Sequence, residues 1–272
     1  MDSFAWNRAF SLLSSARLAN DLMLTANGLK PCCRLTLNRY RLSDFGSFLE
    51  SLNLVYASPR FSKLAIPSGQ RRTYSSSSSS NYKDAVEYAT IFVSRHQDVS
   101  FRALNASDLH NDHDLGQLLG YPDCCTSRFV ALRALAEQNN MSLLPHIDGG
   151  ATRFDALLNV FGWFLDVGVT SHFPCSLTCD QSSAFARKSL EILDHIVPRQ
   201  ALVLVEQLSA EVGRTDYGFT YVGLKTGEKY VLNNCGEELP ARSRSLTKKI
   251  DRKREVPDRG LSGEESRTFK FN

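Results

Sequence analysis

Two short cysteine-bearing blocks constrain this chain more than anything else in it. They are Gly120-Tyr121-Pro122-Asp123-Cys124-Cys125 and Ser171-His172-Phe173-Pro174-Cys175-Ser176-Leu177-Thr178-Cys179, and they hold four of the seven cysteines. Each block reads as the opening of a helix. Asp123 is placed to cap one, and Thr178-Cys179-Asp180-Gln181 fits a capping box that puts Cys179 at the first helical position of the other. Helix N-termini present unpaired N–H groups and a partial positive charge, which favour thiolate over thiol. If the two helix starts face each other, up to four thiolates converge, with His172 as a nearby nitrogen donor.

Four thiolates suit a [4Fe–4S] cluster or structural zinc, and three thiolates with His172 suit zinc. Adjacent side chains diverge by roughly 100° on a helix, so Cys124 and Cys125 are awkward ligands for one ion. A polynuclear cluster tolerates that divergence better; alternatively, one cysteine ligates while its neighbour packs in the core. The spacing is neither the paired C-x2-C of a zinc ribbon nor the C-x3-C-x2-C of radical enzymes using S-adenosylmethionine. The competing readings are buried apolar cysteines beside a proline turn, and a thiol-redox pair, which would lack the usual C-x-x-C geometry. Cys32 and Cys33 read as strand residues with no further ligand nearby, and Cys235 has no motif around it.

Leu115-Gly116-Gln117-Leu118-Leu119-Gly120-Tyr121-Pro122-Asp123-Cys124-Cys125 resembles the signature of an uncharacterised prokaryotic family, a domain of unknown function. The second block, continued to Asp180-Gln181-Ser182, resembles that family's second signature. The likeness covers roughly residues 105–195 and leaves out the N-terminal part and the tail. It implies one shared site containing His113, Tyr121, Cys124, Cys125, Asn159, His172, Cys175, Cys179 and Ser182. It implies no reaction.

Read from the residues themselves, the secondary candidates are less pointed. His113 precedes the cysteine pair by eleven residues and is a candidate ligand or base, or else part of a polar helix start together with His110, Asp112 and Asp114. Asn159 interrupts an apolar stripe and needs partners if buried. Trp163 and the neighbouring phenylalanines read as core. No Gly-rich phosphate loop, G-x-S-x-G elbow or H-E-x-x-H helix occurs.

The pattern predicts a mainly α fold with minor β (α+β): a small N-terminal α/β unit over 1–68, a Ser-rich linker over 69–82, a helical cysteine-motif domain over 83–238, and a disordered basic tail over 239–272. Within these, a first helix is expected from Phe4 to Thr25, a strand from Cys33 to Tyr40, a helix capped by Ser43, and an extended stretch from Leu54 to Leu64. A helix is expected from Asp84 to His96, another from Asp112 to Leu119 closed by Gly120, and another bearing the stripe Phe154, Leu157, Leu158, Phe161 and Leu165. After the second cysteine block, a helix running to Pro198 and a further one from Ala201 to Val212 precede a hairpin of Tyr217–Val222 with Lys229–Leu232.

From Ala241 onward ten Lys/Arg stand against five Asp/Glu, a net of +5 within a whole chain of +3, so the rest is near −2. The body is therefore no basic nucleic-acid surface, and any polyanion contact falls to the tail, chiefly Lys248–Arg254. No apolar run approaches the roughly 20 residues that span a bilayer, and the N-terminus lacks a basic-then-apolar leader. An odd cysteine count with vicinal pairs argues against a secreted disulfide framework, and the expected compartment is the reducing cytoplasm. The sequence thus supports a cytoplasmic metalloprotein, enzymatic or partner to an enzyme, with an unidentified small-molecule substrate or protein partner. The alternative is a zinc-stabilised binding module whose tail contacts nucleic acid or an acidic partner.

Overall fold

A computed structural model of the chain describes residues 2–58, 64–66, 86–139, 153–209, 212–215, 218–222, 229–232 and 268–271. The fold is mostly helical with minor sheet. Two helices, α1 (Ser3–Leu13) and α2 (Ala16–Ala26), replace the expected single helix. Ser14 turns left-handed (φ 53°), and the Ser15 hydroxyl accepts the Leu18 N–H at 3.2 Å, so the serine pair ends one helix and caps the next. Asp166, distant in sequence, completes that cap. Its carboxylate accepts the Ser15 hydroxyl and the Ala16 N–H, both at 2.5 Å.

Strand β1 (Cys32–Asn38) leads through a 3-10 turn to α3 (Leu42–Ser51) and then β2 (Val55–Ala57). Ser43 lies inside α3 and not at its cap; Asn38 caps the preceding turn by accepting the Tyr40 N–H at 3.0 Å. The extended stretch supplies β2 and β3 (Leu64–Ile66). The expected helix from Asp84 to His96 is instead β4 (Val86–Ser94), the central strand of an antiparallel sheet, with β1 on one edge and β2 and β3 on the other. Its β-branched and aromatic content suits a strand. Period-two alternation is hidden because both faces are buried: Ala89, Ile91 and Val93 pack with α1–α3, and Phe92 packs on the opposite side. Residues on both sides of the Ser-rich stretch thus share one sheet, so a boundary at 69–82 cuts across it. The stretch itself lies outside the described residues.

On the second face of the sheet lie α4 (Gln97–Asp108) and α5 (Asp112–Leu118). Next come α6 (Asp123–Asn139), β5 (Arg153–Phe154), two 3-10 turns, α7 (Asp180–Ile196) and α8 (Pro198–Leu208). The apolar stripe from Phe154 to Leu165 therefore does not form an α-helix; it is 3-10 at Ala156–Leu158 and Val160–Leu165. Asp155 diverts the Leu157 N–H to its own side chain at 3.0 Å, and at Gly162 an added Cβ would stand 2.9 Å from the Val167 carbonyl oxygen, so the chain folds back tightly. The segment ends at Asp166 (φ 63°). The α8 helix starts at Pro198 and stops at Leu208, short of Val212.

A second sheet runs β5-β9-β6-β7-β8, with β6 (Val212–Thr215), β7 (Gly218–Val222), β8 (Lys229–Leu232) and β9 (Thr268–Phe271). The expected hairpin is β7 and β8, antiparallel with Phe219 opposite Leu232. Strand β9 falls inside the tail expected to be disordered, yet pairs with β5 and β6; residues 239–267, including the basic cluster, lie outside the described residues. No helix among the described residues is long and apolar enough to cross a membrane.

Asp166→Ala removes the long-range cap of α2. Two hydrogen bonds to a carboxylate are lost, so we expect destabilisation of about 1–3 kcal/mol and a thermal midpoint lower by several degrees, read by differential scanning calorimetry.

Candidate metal centre

The glycines of the first block bring α5, α6 and the start of β1 together. Gly120 (φ 74°) ends α5 with paired bonds, its own N–H to the Gln117 carbonyl and the Tyr121 N–H to the Gly116 carbonyl, both at 2.9 Å. A Cβ at Gly120 would stand 2.8 Å from Pro31 Cδ, and one at Gly116 would stand 2.5 Å from Thr126. Close packing at these two positions fixes where α6 begins. The Pro122 carbonyl accepts the N–H groups of Cys125 and Thr126, each at 2.9 Å. Asp123 is accordingly the first helical residue, not the cap, and the cysteines follow it.

In the second block Cys179 is itself the cap of α7, not its first helical residue, and its Sγ accepts the Ser182 N–H at 3.5 Å. The turn before it is pinned by the Asp155 N–H to the Leu177 carbonyl at 3.2 Å and by the Cys179 N–H to the Ser176 carbonyl at 3.2 Å. Phe173, held extended before Pro174, packs on Trp163 (ring centroids 4.9 Å apart) and Phe129 (6.1 Å). Trp163 is thus a packing residue, as its sequence context suggested.

The two helix starts do meet. The sulfurs of Cys124, Cys125, Cys175 and Cys179 all lie within 4.8 Å of one another, a group that could hold a metal ion. Cys124 is 3.8 Å from Cys125, and Cys179 is 3.7 Å from each of them. Cys125 and Cys179 are buried; Cys124 and Cys175 are partly exposed. Cys125 Sγ accepts the Cys175 N–H at 3.2 Å and lies 3.0 Å from the Ser182 hydroxyl.

With the thiols titrating freely, their environments differ. Burial pushes Cys125 well above the ordinary thiol range despite its bonds to Ser182 and Cys175. Burial and the neighbouring Cys179 and Cys124 hold Cys175 up to about 11. At Cys179 burial also raises the value, but the helix-start bonds from Ser182 and the neighbouring thiols outweigh it and bring the group down to about 7. Of Cys125, Cys175 and Cys179, the last is therefore the thiolate that forms most readily.

His172 is near the sulfurs, one residue removed from them. Its Nε2 is 2.8 Å from the Ser182 hydroxyl, which in turn faces Cys125. Burial, with the Lys30 charge, lowers its pKa to about 3, so the ring is neutral. A hydroxyl has one proton; when Cys125 is a thiolate, Ser182 donates to sulfur and accepts from His172 Nε2–H. His172 Nδ1 is then a buried acceptor without a hydrogen-bond partner among the described residues. Tyr121 lies against His172 with ring centroids 5.1 Å apart.

Two expected members lie elsewhere. Asn159 is buried, but its amide donates to the Leu208 carbonyl at 2.8 Å and secures the end of α8. His113 is half exposed, with Nε2 3.5 Å from Asp123 Oδ1 on the outer side of the α6 start. Neither joins the sulfur group. Cys32 and Cys33 are buried in β1, as expected of strand residues.

Lys30 and Asp21 had no sequence signal. Lys30 is fully buried, and its Nζ lies 2.8 Å from Asp21 Oδ1, 2.6 Å from Ser171 Oγ and 5.3 Å from the Tyr121 ring centroid. Burial opposes its charge, but Asp21 and the smaller contributions of Tyr121 and Cys33 outweigh that and raise its pKa. A lysine buried at a strand start must find a counter-charge, and only the fold shows that Lys30 is buried. Comparison with family models, curated proteins and solved structures returned no match.

Lys30→Met leaves Asp21 buried without its partner and should cost about 3–5 kcal/mol in chemical denaturation, most of it regained on adding Asp21→Asn. Because the folded pKa of Lys30 is raised, its contribution is complete below the ordinary lysine value and fades only as pH climbs through the raised one. His172→Ala should weaken metal retention about 10–100-fold, measured by chelator competition, with the helical circular-dichroism signal preserved.

Proposed function

We propose that the chain is a zinc protein in which Cys124, Cys125, Cys175 and Cys179 are the four ligands of one ion. The observation that carries this reading is the sulfur spacing. A tetrahedral site with Zn–S near 2.3 Å has S···S separations of about 3.8 Å, and three of the separations here are 3.7, 3.7 and 3.8 Å. A [4Fe–4S] cube puts a separate iron under each thiolate and spreads the sulfurs well beyond single-ion spacing, so the cluster is the weaker fit. His172 is engaged with Ser182, which supports its role as a support of Cys125 and not as a ligand.

Four thiolates close the coordination shell, the pattern of a structural zinc. The ion would tie the start of α6 to the start of α7 across roughly fifty residues of chain, and Lys30 would hold the second motif in register from behind. We place the two parts of the resemblance, the first and second signatures, in this one centre. The tail-mediated binding reading has no support among the described residues, since its basic cluster lies outside them.

Purified protein should contain one zinc per chain, be colourless, and carry no acid-labile sulfide. After exchange with cobalt it should give the visible bands of a tetrathiolate ion, and acid should release the metal as protons compete for sulfur. Iron with sulfide in anaerobic preparations would replace zinc by a cluster, and metal-free protein that folds normally would remove the metal altogether.

A further inference from the structure

The four sulfurs are not equivalent, and the difference follows from which of them the protein covers. Cys125 and Cys179 form an inner pair, 1% and 7% exposed. Ser182 grips both: its N–H points to Cys179 Sγ at 3.5 Å and its hydroxyl lies 3.0 Å from Cys125 Sγ, itself backed by His172. The Cys175 N–H adds a second donor to Cys125 at 3.2 Å. Hydrogen bonds to a thiolate stabilise its charge and lower its electron-donating power.

Cys124 and Cys175 form an outer pair, both partly exposed. Apart from the other thiols, the polar neighbour of Cys124 Sγ among the described residues is the Gln181 carbonyl oxygen at 3.5 Å, an acceptor that cannot quiet a thiolate. Each motif thus contributes one covered and one uncovered sulfur. In a closed tetrathiolate shell no coordination position is open for a substrate, so chemistry at this centre has to run through sulfur.

We propose that Cys124 and Cys175 make the zinc centre an acceptor site for soft carbon electrophiles, with Cys125 and Cys179 serving as the permanent anchors. This rests on the zinc reading above. In the reaction the lone pair of an outer thiolate attacks an electrophilic carbon, a new S–C bond forms, and the bond to the leaving group breaks with its electron pair. A thioether remains, no proton is transferred, and no oxidant or reductant is consumed. The neutral thioether is a poorer zinc ligand than the thiolate, so alkylation loosens the ion on its solvent side while the inner pair retains it.

The test uses the full-length protein as purified, its zinc quantified by elemental analysis, treated briefly with iodoacetamide and mapped by tandem fragmentation that separates Cys124 from Cys125. The expected result is labelling of the outer pair at least about tenfold faster than of the inner pair in the zinc-loaded sample, with the first alkyl group on Cys124 or Cys175. Cys32, Cys33 and Cys235 read out separately on their own peptides. First labelling at Cys125 or Cys179, or resistance of all four while zinc is retained, overturns the inference and leaves the zinc reading standing. A sample with no metal overturns the zinc reading and this inference together, and is recognised from the elemental analysis alone. Ser182→Ala, which removes the hydroxyl from Cys125, should narrow the inner-to-outer ratio severalfold, and Ser182→Thr should restore it; a ratio unmoved by either also overturns the inference.

Discussion

The convergence of the two cysteine blocks depends on one buried cation. Lys30 has no exposed side-chain surface, so its ammonium group must be satisfied inside the protein. Asp21 on α2 supplies the charge, Ser171 at the head of the second block supplies an oxygen, and the Tyr121 ring of the first block covers the group. One side chain therefore fixes four pieces of chain: the middle of α2, the entry to β1, and the leading residues of both motifs. Such a pair adds little net stability against an apolar replacement, because desolvation offsets attraction. Its contribution is geometric. A charge with a single set of partners admits a single arrangement, and that arrangement puts the sulfurs beside one another.

The sequence was most legible where the chemistry is local. Helix starts at the two cysteine blocks, the αL end at Gly120 and the hairpin of β7 and β8 all follow from residues within a few positions of one another. It was least legible where tertiary burial overrides local pattern. Val86–Ser94 lacks visible alternation because α1–α3 and α4 with α5 cover both faces of the sheet, so an apolar run of that length fits helix or strand equally. The stripe from Phe154 has helical spacing, but Asp155 and Gly162 tighten the backbone into 3-10 turns, a competition that apolar periodicity does not register. Lys30 and Asp21 escaped notice for a different reason: a lone lysine in a polar turn carries no pattern, and its importance exists only once it is buried.

Asn159 and His113 show the limit of reading a site from motif membership. Both stand close in sequence to the cysteine blocks, and both have partners away from the sulfurs, the end of α8 for one and Asp123 for the other. His172 and Ser182 are in the opposite position. Their polar atoms form an unbroken path to Cys125, so they act on the centre without joining it.

The vicinal cysteines resolve an apparent conflict between helix geometry and coordination. Successive side chains on a helix diverge by roughly 100°, which argues against two adjacent ligands for one ion. At a helix start, however, only Asp123 precedes the pair on the helix, and the facing start of α7 brings Cys179 to 3.7 Å from both sulfurs. The divergence is then absorbed as a difference in depth: Cys125 turns inward to Ser182, and Cys124 turns toward Gln181 and solvent. Cys175 and Cys179 repeat the division through an entry turn in place of a helical step. The same rotation that seems to disfavour a shared ion thus sorts the sulfurs into covered and partly exposed ones. A C-x2-C loop has no such built-in sorting, because its two cysteines are not tied to successive positions on one helix. On the proposed zinc reading, the vicinal arrangement would make a closed metal site with one chemically accessible side.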